Sequence, residues 1–186
     1  MSTKYKFNDQ DMLYFVSFAV VNWIDLFIRN EYKDIIIDSW KHCQQKKGLE
    51  IYGWCIMTSH IHMIIGTHGE NLENIMRDMK KHTSIALRTA IEQHPGESRR
   101  EWILWMMKRA GKKNSQNKSF QLWQQDNHPI ELYDLKILHQ KLDYIYYNPV
   151  EAGIVENPED YLYSSARDYC GFPGLIDVIL VDPIMP

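Results

Sequence analysis

The stretch LEIYGWCIMTSHIHMIIG, residues 49–66, constrains the fold of this chain more than any other. It is rich in β-branched and aromatic residues that suit a pleated, half-buried surface, and Thr58-Ser59 interrupts it near the middle. It reads as two strands around a short connection, or as one long strand with a bend. A similar run, MLYFVSFAVV at 12–21, supplies an earlier strand. Between the two runs, residues 31–47 space Tyr32, Ile36, Trp40 and Cys43 three and four apart and are followed by Gly48, the pattern of an amphipathic helix with a glycine stop.

After Gly66 and Gly69, residues 71–93 carry Leu72, Ile75, Met76, Met79, Ile85, Leu87 and Ile91 at helical spacing, so that Lys80, Lys81 and Arg88 fall on the other face. Residues 97–109 predict a further short helix with Trp102, Trp105 and Met106 turned inward. The segment GKKNSQNKS, 111–119, has the composition of a linker. Residues 132–147 are helical by pattern, and Pro149, which biases Asn148 away from helical angles, predicts an end or a kink there. No internal repeat is visible. This order of elements predicts an α+β sandwich, an antiparallel sheet covered on one side by helices.

A chain of 186 residues, 45% of them hydrophobic, is long enough for one sizeable core and short for two, which predicts a single domain over 1–186 with a core at about 12–169 and a C-terminal tail at 170–186. Three cysteines without CxxC spacing predict free thiols in a reducing setting. The polar start MSTKYKFNDQD lacks the succession of an export signal, and the ten-residue run MLYFVSFAVV is about half of what a membrane span needs, so a cytoplasmic location and no membrane partner are expected. The net charge of −3 is unevenly spread: positions 77–118 hold eleven Lys or Arg against four acids, a balance of +7, which leaves −10 for the rest. Such a division fits a polyanion meeting one surface, and equally a set of solvated basic loops.

His60 and His62 are separated by one residue. On a strand, side chains at i and i+2 share a face about 6.6 Å apart, whereas on a helix they diverge by about 200°. The β-rich surroundings favour convergence, so the pair can share a cation, although a solvated or backbone-bonded pair fits the same spacing. A third donor is needed. In LDYIYYNPVEAG, 142–153, Tyr144 and Asn148 stand one helical turn apart and so on one face. From spacing alone, core aromatics and a helix-capping asparagine explain these residues equally well.

His60-Ile61-His62, WQQDNHPI at 123–130, DYIYYNPVEAGIV at 143–155 and YLYSSARDY at 161–169 together resemble the REP-associated tyrosine transposases, single-tyrosine members of the HUH transposases of the insertion-sequence-200/605-like superfamily. The resemblance runs from about Met12 to Tyr169. It implies a ferredoxin-like α+β sandwich with a central antiparallel sheet. It also implies that His60 and His62 ligate a metal with Asn148 as third ligand, and that Tyr144 is the catalytic nucleophile. The implied substrate is single-stranded DNA, typically beside a palindromic repeat folded as a hairpin. Residues 95–119 are long for the family, and the tail after Cys170 has no counterpart in it.

The implied chemistry suits these residue types. A phenol titrates near 10, so its attack on a phosphodiester needs help. Two imidazoles and an amide oxygen make a mixed site suited to Mg²⁺ or Mn²⁺ with positions left open. Attack by Tyr144 would store the bond as a 5′-phosphotyrosine, with no nucleotide consumed, in keeping with the absence of a GxxxxGK[ST] loop. Tyr146 and Tyr147 remain rival nucleophiles, at about 200° and 300° around the helix from Tyr144. A silent, hairpin-binding descendant and a replication-initiator or relaxase type of HUH nuclease are the alternatives. An HxH hydrolase or oxygenase fits less well, because the chain is short for a ~250-residue barrel and too helical for a double-stranded β-helix. For DNA contacts, charge alone nominates Lys80, Lys81 and Arg88. Monomer and homodimer are both open.

Overall fold

The computed structural model describes residues 7–114, 119–125 and 127–181. Residues 115–118 of the expected linker, Asp126 and the last five residues of the tail lie outside the described residues. The strand-rich stretch 49–66 resolves into a hairpin: β2 (Leu49–Ile56) and β3 (His60–Thr67) pair antiparallel, and Met57 N donates to His60 O at 2.8 Å across Thr58-Ser59. The turn is pinned from outside, since Val20 N donates to Ser59 O and Phe27 N to Thr58 O. The earlier run supplies β1 (Tyr14–Ala19), antiparallel to β3, with Ser17 opposite His62 and Ala19 opposite His60. β4 (Ile130–Glu131) completes the order β2-β3-β1-β4.

Among the described residues there are four longer helices, α1 (Asn30–Lys47), α2 (Leu72–Gln93), α3 (Arg100–Lys113), which packs on α2, and α4 (Leu135–Glu151), and one short helix, α5 (Ala166–Tyr169). Alternation along the strands assigns them to faces. Trp54 meets Trp40 of α1, and Phe18 lies beneath Lys80 of α2, so α1 and α2 cover one face. Phe15 and Gly53 point the other way, to Tyr144 and Leu142 of α4. Helices therefore cover both faces of the sheet rather than one. α4 is amphipathic enough to lie on a second face that its own Leu142 and Ile145 help to bury.

Both outer edges are closed by irregular chain, which removes the open ladder groups that invite mispairing. Along β1, Val21 N donates to Leu122 O, Gln124 N to Ala19 O and Ser17 N to Asn127 O. Along β2, Ile56 N donates to Tyr163 O, Trp54 N to Ser165 Oγ, and the Tyr161 hydroxyl to Ile56 O. The WQQ and YLYSS segments thus work as sheet edges. Among the described residues no helix is long and apolar enough to cross a membrane, and the three cysteines are unpaired, Cys43 and Cys55 buried and Cys170 exposed.

Further expectations are corrected, beginning with Ile85 of α2, which is exposed rather than part of the apolar face. α3 buries Ile103, Met107 and Gly111, while Trp102 and Trp105 are about half exposed. A helix packed on one side only buries a narrow i, i+4, i+8 stripe, and the tryptophans lie outside it. The first three residues of the expected linker continue α3, because Gly111 has no side chain and the returning backbone at Phe120 passes directly over it. Finally, Pro149 sits inside α4, which runs on to Glu151 and closes with Ile154 N donating to Pro149 O and Gly153 at φ 69°. A proline in the last turn removes one helical hydrogen bond, and the buried face of α4 outweighs that loss.

Candidate functional site

β3 presents His60 and His62 on the face under α4, as strand alternation requires, with ring centroids 4.7 Å apart. His62 is the deeper of the two, in a central strand, stacked on Phe15 of β1 at 5.6 Å. Tyr144 arrives from α4. Its ring stands edge-on to His62 at 5.0 Å and to Phe15 at 6.0 Å, and is 45% exposed on its other side. The structure thus gathers three of the four expected residues. Asn148 is half-buried one turn further along α4.

α4 reaches the sheet at Gly53. A Cβ there would stand 2.7 Å from Leu142 Cδ2, so the missing side chain leaves room for Leu142 against the sheet. The rival tyrosines go elsewhere. Tyr146 turns to the opposite side of α4 and packs on Tyr169 at 5.3 Å, where burial pushes its phenol well up. Tyr147 is exposed and makes no ring contact with the histidines.

Electrostatically the site keeps its imidazoles neutral. Burial, helped by the neighbouring His60 and Lys141, pushes His62 down to about 3. Burial also lowers His60, against the pull of the Asp25 carboxylate. Both nitrogens of His62 are buried without a hydrogen-bond partner. Ser59 Oγ lies 3.2 Å from His60 Nδ1, which leaves His60 Nε2 as its unengaged nitrogen. A buried polar atom left without a partner costs about 1–3 kcal/mol. Among the described residues no three His, Cys, Asp or Glu side chains gather in a group that could hold a metal ion.

Two neighbours escaped the sequence reading. Lys141 Nζ lies 4.7 Å above the Phe15 ring and 5.7 Å above that of Tyr144. Its i, i+3, i+7 relation to Tyr144 and Asn148 was the available signal, hidden because the basic count stopped at position 118. Trp23 stands edge-on to His60 at 5.4 Å and nothing in its spacing announces this.

The three nominated cations share one cleft of about 630 Å³ between α2 and residues 119–125. Within it their states differ. Lys80 Nζ donates to Gln124 O at 2.9 Å and to Asn127 Oδ1 at 2.7 Å, and so anchors the chain along β1. Arg88 pairs with Glu92 at 2.8 Å and covers the Phe120 ring. Lys81 is exposed.

A four-stranded antiparallel sheet with helices on both faces, and a histidine pair facing a helix-borne tyrosine, make this an α+β protein with one candidate site on the face under α4. The chain belongs to the IS200-like transposase family, whose sequence pattern matches residues 19–121, just over half of its length and inclusive of both histidines. Its fold is that of a REP-associated tyrosine transposase solved bound to a REP hairpin, with a TM-score of 0.65, 18% identity and 100% of each chain covered. A crystal structure from Deinococcus radiodurans, described as a candidate transposase, aligns with a TM-score of 0.44 and 15% identity over 77% of this chain and 95% of that one. No curated protein sequence matches the chain.

Proposed function

We propose that this transposase cuts and rejoins single-stranded DNA at hairpin-forming repeats, as one domain, with Tyr144 as nucleophile and with His60, His62 and Asn148 holding Mg²⁺ or Mn²⁺. The observation that carries the reading is the dry, unpartnered imidazole of His62 directly beside the ring of Tyr144. Membership of a transposase family supports DNA as substrate, and a fold neighbour solved with a REP hairpin supports the hairpin.

The donor set fits a divalent cation, which when bound supplies positive charge to the scissile phosphate as negative charge develops there. The chain's own residues do the rest. Tyr144 is fixed at its inner edge by His62 and Phe15 and open at its outer edge, so its hydroxyl can meet a strand arriving from solvent. Its oxygen bonds to phosphorus while the bond from phosphorus to the 3′-oxygen breaks. The phenolic proton leaves to solvent and the released 3′-oxygen takes one up. A later attack by a 3′-hydroxyl reverses these changes and frees the phenol. Lys141, above the Tyr144 ring, favours the approach of the phosphate and the phenolate alike. The cleft holding Lys81 and Arg88 takes the hairpin backbone.

Protein incubated with Mn²⁺ and single strands from the repeats flanking its own gene should yield a DNA-linked species that survives denaturation. Tyr144→Phe should yield none and Tyr147→Phe should still yield it. Adduct from Tyr144→Phe, or none from the wild type while it binds the hairpin, would refute the assignment and favour a silent binding protein.

A further inference from the structure

Asn22 and Trp23 are consecutive non-glycine residues in the left-handed region, at φ 56° and 54°. L side chains rarely adopt that conformation even singly. The reason is visible in their setting, VVNWIDLF, where Val20, Val21, Ile24, Leu26 and Phe27 are all buried. The double reversal holds the run against the core and turns one large apolar ring outward, leaving Trp23 58% exposed. Backbone hydrogen bonds fix it there, Trp23 N donating to Val20 O at 3.0 Å and Leu26 N to Ile24 O at 2.7 Å.

The ring faces a particular place. Trp23 to His60, His60 to His62 and His62 to Tyr144 are successive edge-on contacts of 5.4, 4.7 and 5.0 Å, a continuous row of rings with Trp23 at its open end. The neighbouring residue Asn22, though not Trp23 itself, lines an open cleft of about 710 Å³ that also takes in Lys113 at the end of α3, Gln125 and His128. A strained, exposed tryptophan is what a chain keeps where the ring meets a ligand. Next to a phosphodiester site, the ligand with a matching π-face is an unpaired nucleobase.

Resting on the strand-transfer reading above, we propose that Trp23 is the stacking platform for an unpaired base adjacent to the scissile phosphate, and that the cleft from Asn22 to His128 carries the continuation of that single strand. Stacking accepts any base, so this platform holds the strand in place without reading its sequence.

The test measures binding and covalent attachment separately. Fluorescence anisotropy gives Kd for labelled single strands from the gene's flanks, intact or with an abasic residue walked along them, against wild type, Trp23→Ala and Trp23→Gly. Both variants should raise Kd by about 10- to 100-fold for intact DNA, the range that base stacking on aromatic rings supplies. Against the strand whose stacked base is missing they should change nothing further. Glycine accepts the left-handed backbone, so Trp23→Gly should melt at or above the wild-type temperature, which separates lost stacking from lost folding. Unchanged Kd in Trp23→Gly, or abasic and Trp23 effects that simply add at every position, would overturn the platform. Trp23-dependent binding by a wild type that never becomes covalently attached would sink strand transfer and leave the platform standing. Adduct formed by Trp23→Gly at wild-type Kd and rate would do the opposite.

Discussion

The ring of Tyr144 stands edge-on to the imidazole of His62 at 5.0 Å, and on the same helix Leu142 has room against the sheet at Gly53. Gly53→Ala puts a methyl group 2.7 Å from Leu142 Cδ2 and should lift the helix. A destabilisation of about 1–3 kcal/mol is expected in urea unfolding, the usual cost of overpacking, with a larger loss in the rate of DNA attachment. Adding Leu142→Val should restore part of both. No effect on attachment would mean that the seat of α4 does not set the position of Tyr144.

Replacing His62 by leucine removes two buried, unmet nitrogen atoms from the centre of the sheet. The variant should unfold about 1–2 kcal/mol later than wild type while losing covalent attachment and its response to Mn²⁺ or to chelator. Calorimetry in metal-free buffer checks the first part, and a lower melting temperature would show that the imidazole is satisfied in some other way.

Lys141 touches only ring faces in the site, so Lys141→Met should leave stability within about 0.5 kcal/mol of wild type. If its ammonium meets a phosphate, the salt slope of DNA binding should fall by about 1 and attachment should slow. An unaltered slope would remove Lys141 from the DNA path.

Glu97 ties the approach to α3 onto the approach to α1, through Arg29 at 3.0 Å and Arg99 at 3.1 Å. Burial pushes its carboxyl up, but hydrogen bonds from the Arg99 side chain and backbone and then from Arg29 prevail and hold it at about 2, below its ordinary 4.5. A depressed carboxylate stabilises the fold fully above the unfolded value, and that contribution, on the order of 3 kcal/mol, fades as pH falls from 4.5 toward 2. Glu97→Gln should melt lower at pH 7 and lose less on acidification. Parallel curves for the two proteins would contradict this.

Much of the architecture was legible because it rests on local pattern. The hairpin at 49–66 announced itself by apolar run and break, α1 by its spacing and Gly48, and the histidine pair by the alternation of a strand. What the sequence hid depends on which neighbour an element finds. Trp102 and Trp105 look like core until α3 is seen to pack along one narrow stripe. Pro149 looks like a terminus until the buried side of α4 carries the helix past it. Lys80 looks like one of three equivalent surface cations until Gln124 and Asn127 come round along β1 to meet its ammonium. Trp23 depends on two left-handed residues, which no periodicity predicts.

The unmet imidazole in mid-sheet also bears on the history of such a gene. A copy released from selection for turnover would gain stability from almost any apolar replacement at position 62, so mutation alone would erase the histidine rather than preserve it. Under the strand-transfer reading, that forgone stability is what the chain gives up to keep an imidazole beside Tyr144.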